Sequence, residues 1–113
     1  MNRFTELLSQ KDLNFSDLKT QFFKDLQMSG IDIDFFEAET TPEVFWQWLK
    51  HLVSDLLSYH TEAFNRLMYR VDIPEKELQK LQHTCLPELS EHIAYLILKR
   101  EMQKLVFKKQ FGS

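Results

Sequence analysis

The sequence predicts an all-α protein, a single irregular bundle of four to five helices spanning residues 1–113. Three observations lead there. First, the chain holds Gly 2 and Pro 3, so the tight turns of a β-rich or loop-rich fold have almost no material to be made from. Second, apolar residues recur at spacings of three and four, the period of a helix with one buried face. Third, the breaks between these stretches carry helix-capping residues. The apolar share of 43% suits a folded core and argues against disorder. At 113 residues the chain has the length of one domain and buries roughly 65% of its unfolded surface. Ten phenylalanines mean that aromatic packing fills much of that core.

Each element has its own reason. Phe4, Leu7 and Leu8 predict a short first helix. Ser16 is expected to cap a second, whose stripe is Phe15, Leu18, Phe22 and Leu26 and whose end is Gly30. The stretch IDIDFFEAETT alternates like a strand but has no strand partner elsewhere. It reads as an extended linker whose Phe35 and Phe36 tuck into the core.

Thr41-Pro42-Glu43 is a strong helix start: a threonine cap, a proline whose missing N–H costs nothing in the first turn, and an acid at the positive end of the helix dipole. No breaker follows before Pro74, so one helix is expected over about 41–71. Its apolar arc includes Phe45, Leu49, Leu52, Val53, Leu56, His60, Ala63, Phe64, Leu67 and Val71, close to half the circumference. That is wider than the stripe of an ordinary surface helix, and it predicts a central helix or one covered by a second copy of the chain.

Tyr69-Arg70-Val71-Asp72-Ile73-Pro74 reads as a joint. Asp72 and Glu75 have capping-box spacing, so Asp72 is expected to start a short helix over 73–83. After a second joint at Thr84–Pro87, the last helix is expected at about 87–111. It carries two apolar stripes, and HIAYLILK is hydrophobic almost all round, which predicts burial on more than one side. Arg100 projects into the stripe of Leu89, Ile93, Leu96, Ile97, Phe107 and Phe111.

Composition excludes several chemistries. With Gly30 and Gly112 alone there is no phosphate-cradling loop, and a single Cys85 rules out an internal disulfide and a Cys-x-x-Cys zinc site. Cys85 with His83 two residues away is poor evidence for a nucleophile and its base. The pairs His51/Asp55 and Glu88/His92 have helical spacing but lie on polar faces, and read as solvated ion pairs rather than metal ligands. No catalytic residue, cofactor or metal is therefore expected, and the protein reads as a non-enzyme. No signal-peptide core or run of ~18–20 apolar residues is visible, so a cytoplasmic location is expected, with no membrane segment.

What remains points to partners. Trp46 and Trp48 fall on opposite edges of the long arc, and with Phe35 and Phe36 they form the candidate partner-binding patch. Arg66, Arg70 and Arg100 are the candidate ion-pair or anion site, with Asp72, Glu62 and Glu101 as plausible partners and the clamping of the joint as the favoured role. His60 reads as a core histidine with one hydrogen-bond partner or as the edge of the bundle, rather than as a pH-sensitive or ligand-contacting group. The expected function is a small helical protein–protein interaction module or assembly subunit, possibly a homodimer.

The alternative is a nucleic-acid-binding regulator. Net charge is −3, but residues 1–56 carry 5 basic and 10 acidic side chains while residues 57–113 carry 9 basic and 7 acidic. The basic end offers Lys99, Lys104, Lys108 and Lys109 as contacts, although these do not share one clean face.

Overall fold

The computed structural model describes residues 15–32, 40–82 and 84–111, with side chains through 108. The first predicted helix (Phe4, Leu7, Leu8), Phe35, Phe36, His83 and the side chains of Lys109 and Phe111 lie outside the described residues. Five helices make up the rest: α1 Phe15–Met28, α2 Pro42–Tyr59, α3 Thr61–Val71, α4 Glu75–Gln79 and α5 Leu86–Phe111. There is no strand among the described residues, and the fold is an all-α bundle.

The centre of the bundle is α5. It packs against α1, α2 and α3, and it buries Ile93, Ala94, Ile97, Leu98 and Met102. These residues occupy two adjoining faces, so the nearly all-round hydrophobicity of HIAYLILK has a direct cause: three helices cover it. Phe107, at the far end of the predicted stripe, is 62% exposed.

The expected helix over 41–71 is two helices. His60 adopts φ −141°, ψ 60°, ends α2 and precedes α3. The chain turns at His60, and α2 and α3 pack on each other and on α5. The buried residues of α2 are Phe45, Trp46, Leu49, Val53 and Leu56, and those of α3 are Phe64, Leu67, Met68 and Val71. On a hypothetical continuous helix their mean directions differ by only roughly 40° at 100° per residue, which is why the pattern hides the break. His60 itself is exposed, so of the two expected placements it takes the edge of the bundle and not the core.

The ends of the helices show their chemistry. Thr41 caps α2 as expected, its Oγ1 accepting from the Val44 N–H at 3.2 Å with Pro42 in the first turn. Gly30, at φ 75°, closes α1: Ile31 N donates to Leu26 O and Gly30 N to Gln27 O, each at 3.0 Å. α1 is already helical at Phe15, so Ser16 lies in its first turn and is not the cap.

Asp72 also departs from its expected role. It does not start the next helix. It ends α3 in the left-handed conformation at φ 72°, with Asp72 N and Ile73 N both donating to Met68 O at 2.9 and 3.0 Å. Aspartate tolerates this conformation better than most residues. Pro74 takes the N-cap position of α4 with no side-chain hydrogen bond, and α4 is five residues long rather than the eleven expected over 73–83.

Trp46 is 1% exposed, so the expectation that it edges a partner surface is corrected: it fills the chain's own core. Trp48 is half-buried and belongs to an aromatic cluster. Its ring lies 5.7 Å from Phe45, 5.9 Å from Phe23 and 6.3 Å from Phe22, the last two edge-on. Such edge contacts add about 0.5–1.5 kcal/mol each beyond their buried area. Two of these rings, Phe22 and Phe23, come from α1.

Candidate functional site: a buried carboxyl pair beneath an arginine groove

Gln21 and Asp25 on α1, and Ser29 just past its end, are spaced four apart, so they share one face. That face meets α3 and the last turns of α5. Glu101, at the α5 position one turn beyond Ile97, points into the same place and is 0% exposed, while Asp25 is 4% exposed. Two acids therefore sit in the core, where an isolated charge is costly.

The surroundings answer part of that cost. Lys104 Nζ lies 3.4 Å from Asp25 Oδ2 and 3.4 Å from Glu101 Oε1, and donates to the Arg70 carbonyl at 3.1 Å. Arg70 Nε donates to Asp25 Oδ1 at 3.2 Å. Gln21 Nε2 donates to the Glu101 carbonyl at 3.0 Å and faces Glu101 Oε1 at 3.4 Å, and Gln21 Oε1 accepts from Lys108 Nζ at 2.9 Å.

One atom is left over. Glu101 Oε2 is buried and has no hydrogen-bond partner among the described residues. A proton supplies what is missing, because a protonated carboxyl is a donor and the Asp25 carboxylate beside it is an acceptor. The pKa of Glu101 agrees: burial, then the hydrogen bond and negative charge of Asp25, push it from 4.5 up to about 8 against the opposing pull of Lys104.

Above this cluster runs a groove of about 470 Å³ lined by Met28, Asn65, Arg66, Tyr69 and Arg70. Tyr69 is 90% and Met28 61% exposed. Arg66 and Arg70 are four apart on α3 and share the groove with Tyr69. Each is steered by its Nε alone, Arg66 to the Ser29 carbonyl at 2.9 Å and Arg70 to Asp25. Arg66 forms no ion pair among the described residues.

The three arginines are not one site. Arg66 and Arg70 line the groove, while Arg100 is at the joint, its Nη2 2.9 Å from Asp72 Oδ2 and its Nη1 donating to Gln103 at 3.3 Å. Arg100 is partly sunk: its Nε is buried without a hydrogen-bond partner among the described residues, while its Nη groups reach outward to these partners. Of the C-terminal lysines, Lys104 and Lys108 turn inward onto the cluster, and Lys99 is exposed.

Asp25 was not singled out from the sequence, and Glu101 entered only as a partner for an arginine. The signal was there: Ile93, Ile97 and Glu101 fall on one face, so the acid interrupts an apolar row. Met28 and Tyr69 had no comparable signal.

A second groove, of about 450 Å³, lies between α2 and the start of α5 and includes His51, Asp55 and Lys50. Lys50 there faces Glu91 at 3.8 Å, so positive and negative groups are mixed. Among the described residues no three His, Cys, Asp or Glu side chains converge as metal ligands, and no helix is long and apolar enough to cross a membrane.

The fold and site define an all-α bundle with a polar centre. No family model matches the chain, and no match is found among curated proteins or solved structures.

Proposed function

We propose that the protein is a non-enzymatic interaction module whose groove of Met28, Asn65, Arg66, Tyr69 and Arg70 binds an acidic segment of a protein partner. The observation that carries this reading is the pair of guanidinium groups one helical turn apart, their Nη atoms without partners among the described residues, beside a tyrosine that is 90% exposed. Tyrosine, methionine and arginine are the side chains enriched where proteins bind one another. Guanidinium groups recognise carboxylates by paired hydrogen bonds, which selects an acidic partner over a neutral one.

Nucleic acid has less support. Lys104 and Lys108 spend their ammonium groups on Asp25, Glu101 and Gln21, and the net charge is −3. The two groove guanidinium groups, one of them already paired with Asp25, fall short of the roughly six to ten phosphate contacts of a strong nucleic-acid binder. The exposed free thiol of Cys85 fits a reducing compartment such as the cytoplasm.

Panning a displayed peptide library on the full chain tests the reading, with Arg66→Glu and Tyr69→Ala as controls. Enriched peptides should carry Asp or Glu beside an apolar residue and should lose binding to both variants. Enrichment of peptides without acids, or binding indifferent to Arg66→Glu, would sink it. Capture of single-stranded DNA through the groove would replace it with the nucleic-acid reading. Capture of a second copy would make the partner the chain itself.

A further inference from the structure

We propose that Asp25 and Glu101 form a proton-binding switch beneath the groove, in which one shared proton sets how tightly Arg70 is held inward. The inference rests on the groove reading for its purpose, since Arg70 is a groove residue, but its mechanism is independent of any ligand.

The geometry is that of a closed set of charges. From α1 come Asp25 and the neutral Gln21. From α3 comes Arg70, on Asp25 Oδ1 at 3.2 Å. From α5 come Glu101, Lys104, 3.4 Å from both acids, and Lys108, held on Gln21. From α2, the remaining helix packed on α5, the ion pair across the contact is Lys50 with Glu91, ten residues from Glu101 and so roughly 15 Å along the helix.

Within this set Glu101 is fully buried and one of its oxygens lacks a partner, so the pair is complete only with a proton on it. Carrying that proton, the two acids hold one negative charge between them, and Lys104 and Arg70 face it with two positive ones. Losing the proton raises the pair to two negative charges with the same cations around it. Like charges so close repel, and Lys104 cannot fully neutralise both acids. Asp25 then leans on its other cation, Arg70. The guanidinium is drawn in and becomes less available to a carboxylate in the groove. Gaining the proton relaxes Arg70 outward. The switch therefore favours acidic partners at the lower pH.

Nuclear magnetic resonance of the full chain between pH 5 and pH 10 tests this without a ligand. Two signals are followed, the side-chain carboxyl carbon of Glu101 and the Nε of Arg70. Both are expected to move with one common midpoint near 8. In Glu101→Gln, which keeps shape but cannot ionise, the Arg70 step should vanish. A Glu101 signal titrating in the ordinary carboxylate range, an Arg70 signal flat through the Glu101 midpoint, or an unchanged Arg70 step in Glu101→Gln would each overturn the proposal. An acidic peptide selected on the groove adds the second readout: weaker binding at pH 9 than at pH 7 in the wild-type chain, and no such change in Glu101→Gln. Equal binding by the wild-type chain at both pH values would overturn the link to the groove. If no acidic peptide binds at any pH, the groove reading falls, and the two resonances still decide the switch.

Discussion

The Lys104 ammonium and the Asp25 carboxylate meet at 3.4 Å across 79 residues of sequence, and this contact joins the first helix of the bundle to the last. It also brings a third helix in, because Lys104 donates to the Arg70 carbonyl while Arg70 donates to Asp25. Three helices thus meet at charged groups rather than at apolar side chains alone. Such a junction is sensitive to protonation in a way that a hydrophobic contact is not.

Stability should fall as pH rises from about 4.5 to about 8. Glu101 is raised between these values on folding. Over that interval the unfolded chain gives up the Glu101 proton while the folded chain keeps it, so alkali favours unfolding. The contribution is fully present below the unfolded value and is lost as pH passes the folded one. At about 1.36 kcal/mol per pKa unit the upper limit is roughly 5 kcal/mol. Urea melts at pH 6 and pH 9 check this. The wild-type chain should lose more stability than Glu101→Gln between the two, and parallel losses would show that Glu101 is not the group responsible.

Lys104→Met keeps the aliphatic stem and removes the charge. Both acids lose a cation, while Arg70 still faces Asp25. Breaking a fully buried pair costs about 3–5 kcal/mol. Lys104 is 25% exposed, so solvent screening lowers the expected loss to about 1–2 kcal/mol. The loss should be larger at pH 9, where Glu101 is ionised, than at pH 6. Thermal melts at the two values decide it, and equal losses would mean that Lys104 does not sense the charge on Glu101.

How much of this was legible depends on the kind of signal. Thr41-Pro42-Glu43 and Gly30 mark helix ends through local chemistry, and both ends stand where the sequence places them. The last helix was readable to within a residue at its start, because its apolar residues repeat and a proline marks the first turn. The break at His60 was not. No proline or glycine marks it, the apolar pattern runs on through it, and only the packing of both helices on α5 reveals it. Glu101 was missed for a related reason. An acid in an apolar row can be a solvated edge or a buried group, and only the arrival of Asp25 from α1 decides which. The neighbouring Arg100 drew attention instead, and it does pair with Asp72 at the joint, as expected of it.

The two left-handed helix ends give a paired prediction. Asp72 has φ 72° and Gly30 φ 75°. Asp72→Gly relieves backbone strain and loses an exposed ion pair, effects of about 1 kcal/mol or less that oppose each other, so the net change should stay within about 0.5 kcal/mol. Asp72→Ala loses the pair and keeps the strain, and should cost about 1 kcal/mol. Gly30→Ala should cost about 1–2 kcal/mol through its backbone alone, since an added Cβ meets Arg66 Nη2 at an ordinary 3.7 Å. Chemical denaturation ranks the three, and Asp72→Ala more stable than Asp72→Gly would contradict the left-handed assignment.

His60→Ala should change stability by less than about 0.5 kcal/mol, because the side chain is exposed and His60 caps the two helix ends through its backbone, with no side-chain cap bond. Alanine is the best helix former, so it also tests what holds the break. If the break belonged to the histidine, His60→Ala would let α2 and α3 merge, and amide exchange near Tyr59 and Thr61 would slow. Packing onto α5 argues for the opposite result, an unchanged exchange pattern.

Trp46 separates the packing of one chain from association between chains. Its side chain is 1% exposed, with Lys50 Nζ 5.5 Å from the ring. A tryptophan so placed acts through the volume it fills, and Trp46→Ala should cost about 3–5 kcal/mol from lost burial and the cavity left behind. The mass of the folded chain in solution should not change, because the residue is inside one copy. Light scattering at micromolar concentration, run beside a urea melt, reads both quantities. A lowered urea midpoint with an unchanged mass places Trp46 in the core of one chain. An unchanged midpoint with a lowered mass would place it between copies, and the wide apolar arc of α2 would then be covered by a second chain rather than by α1 and α5.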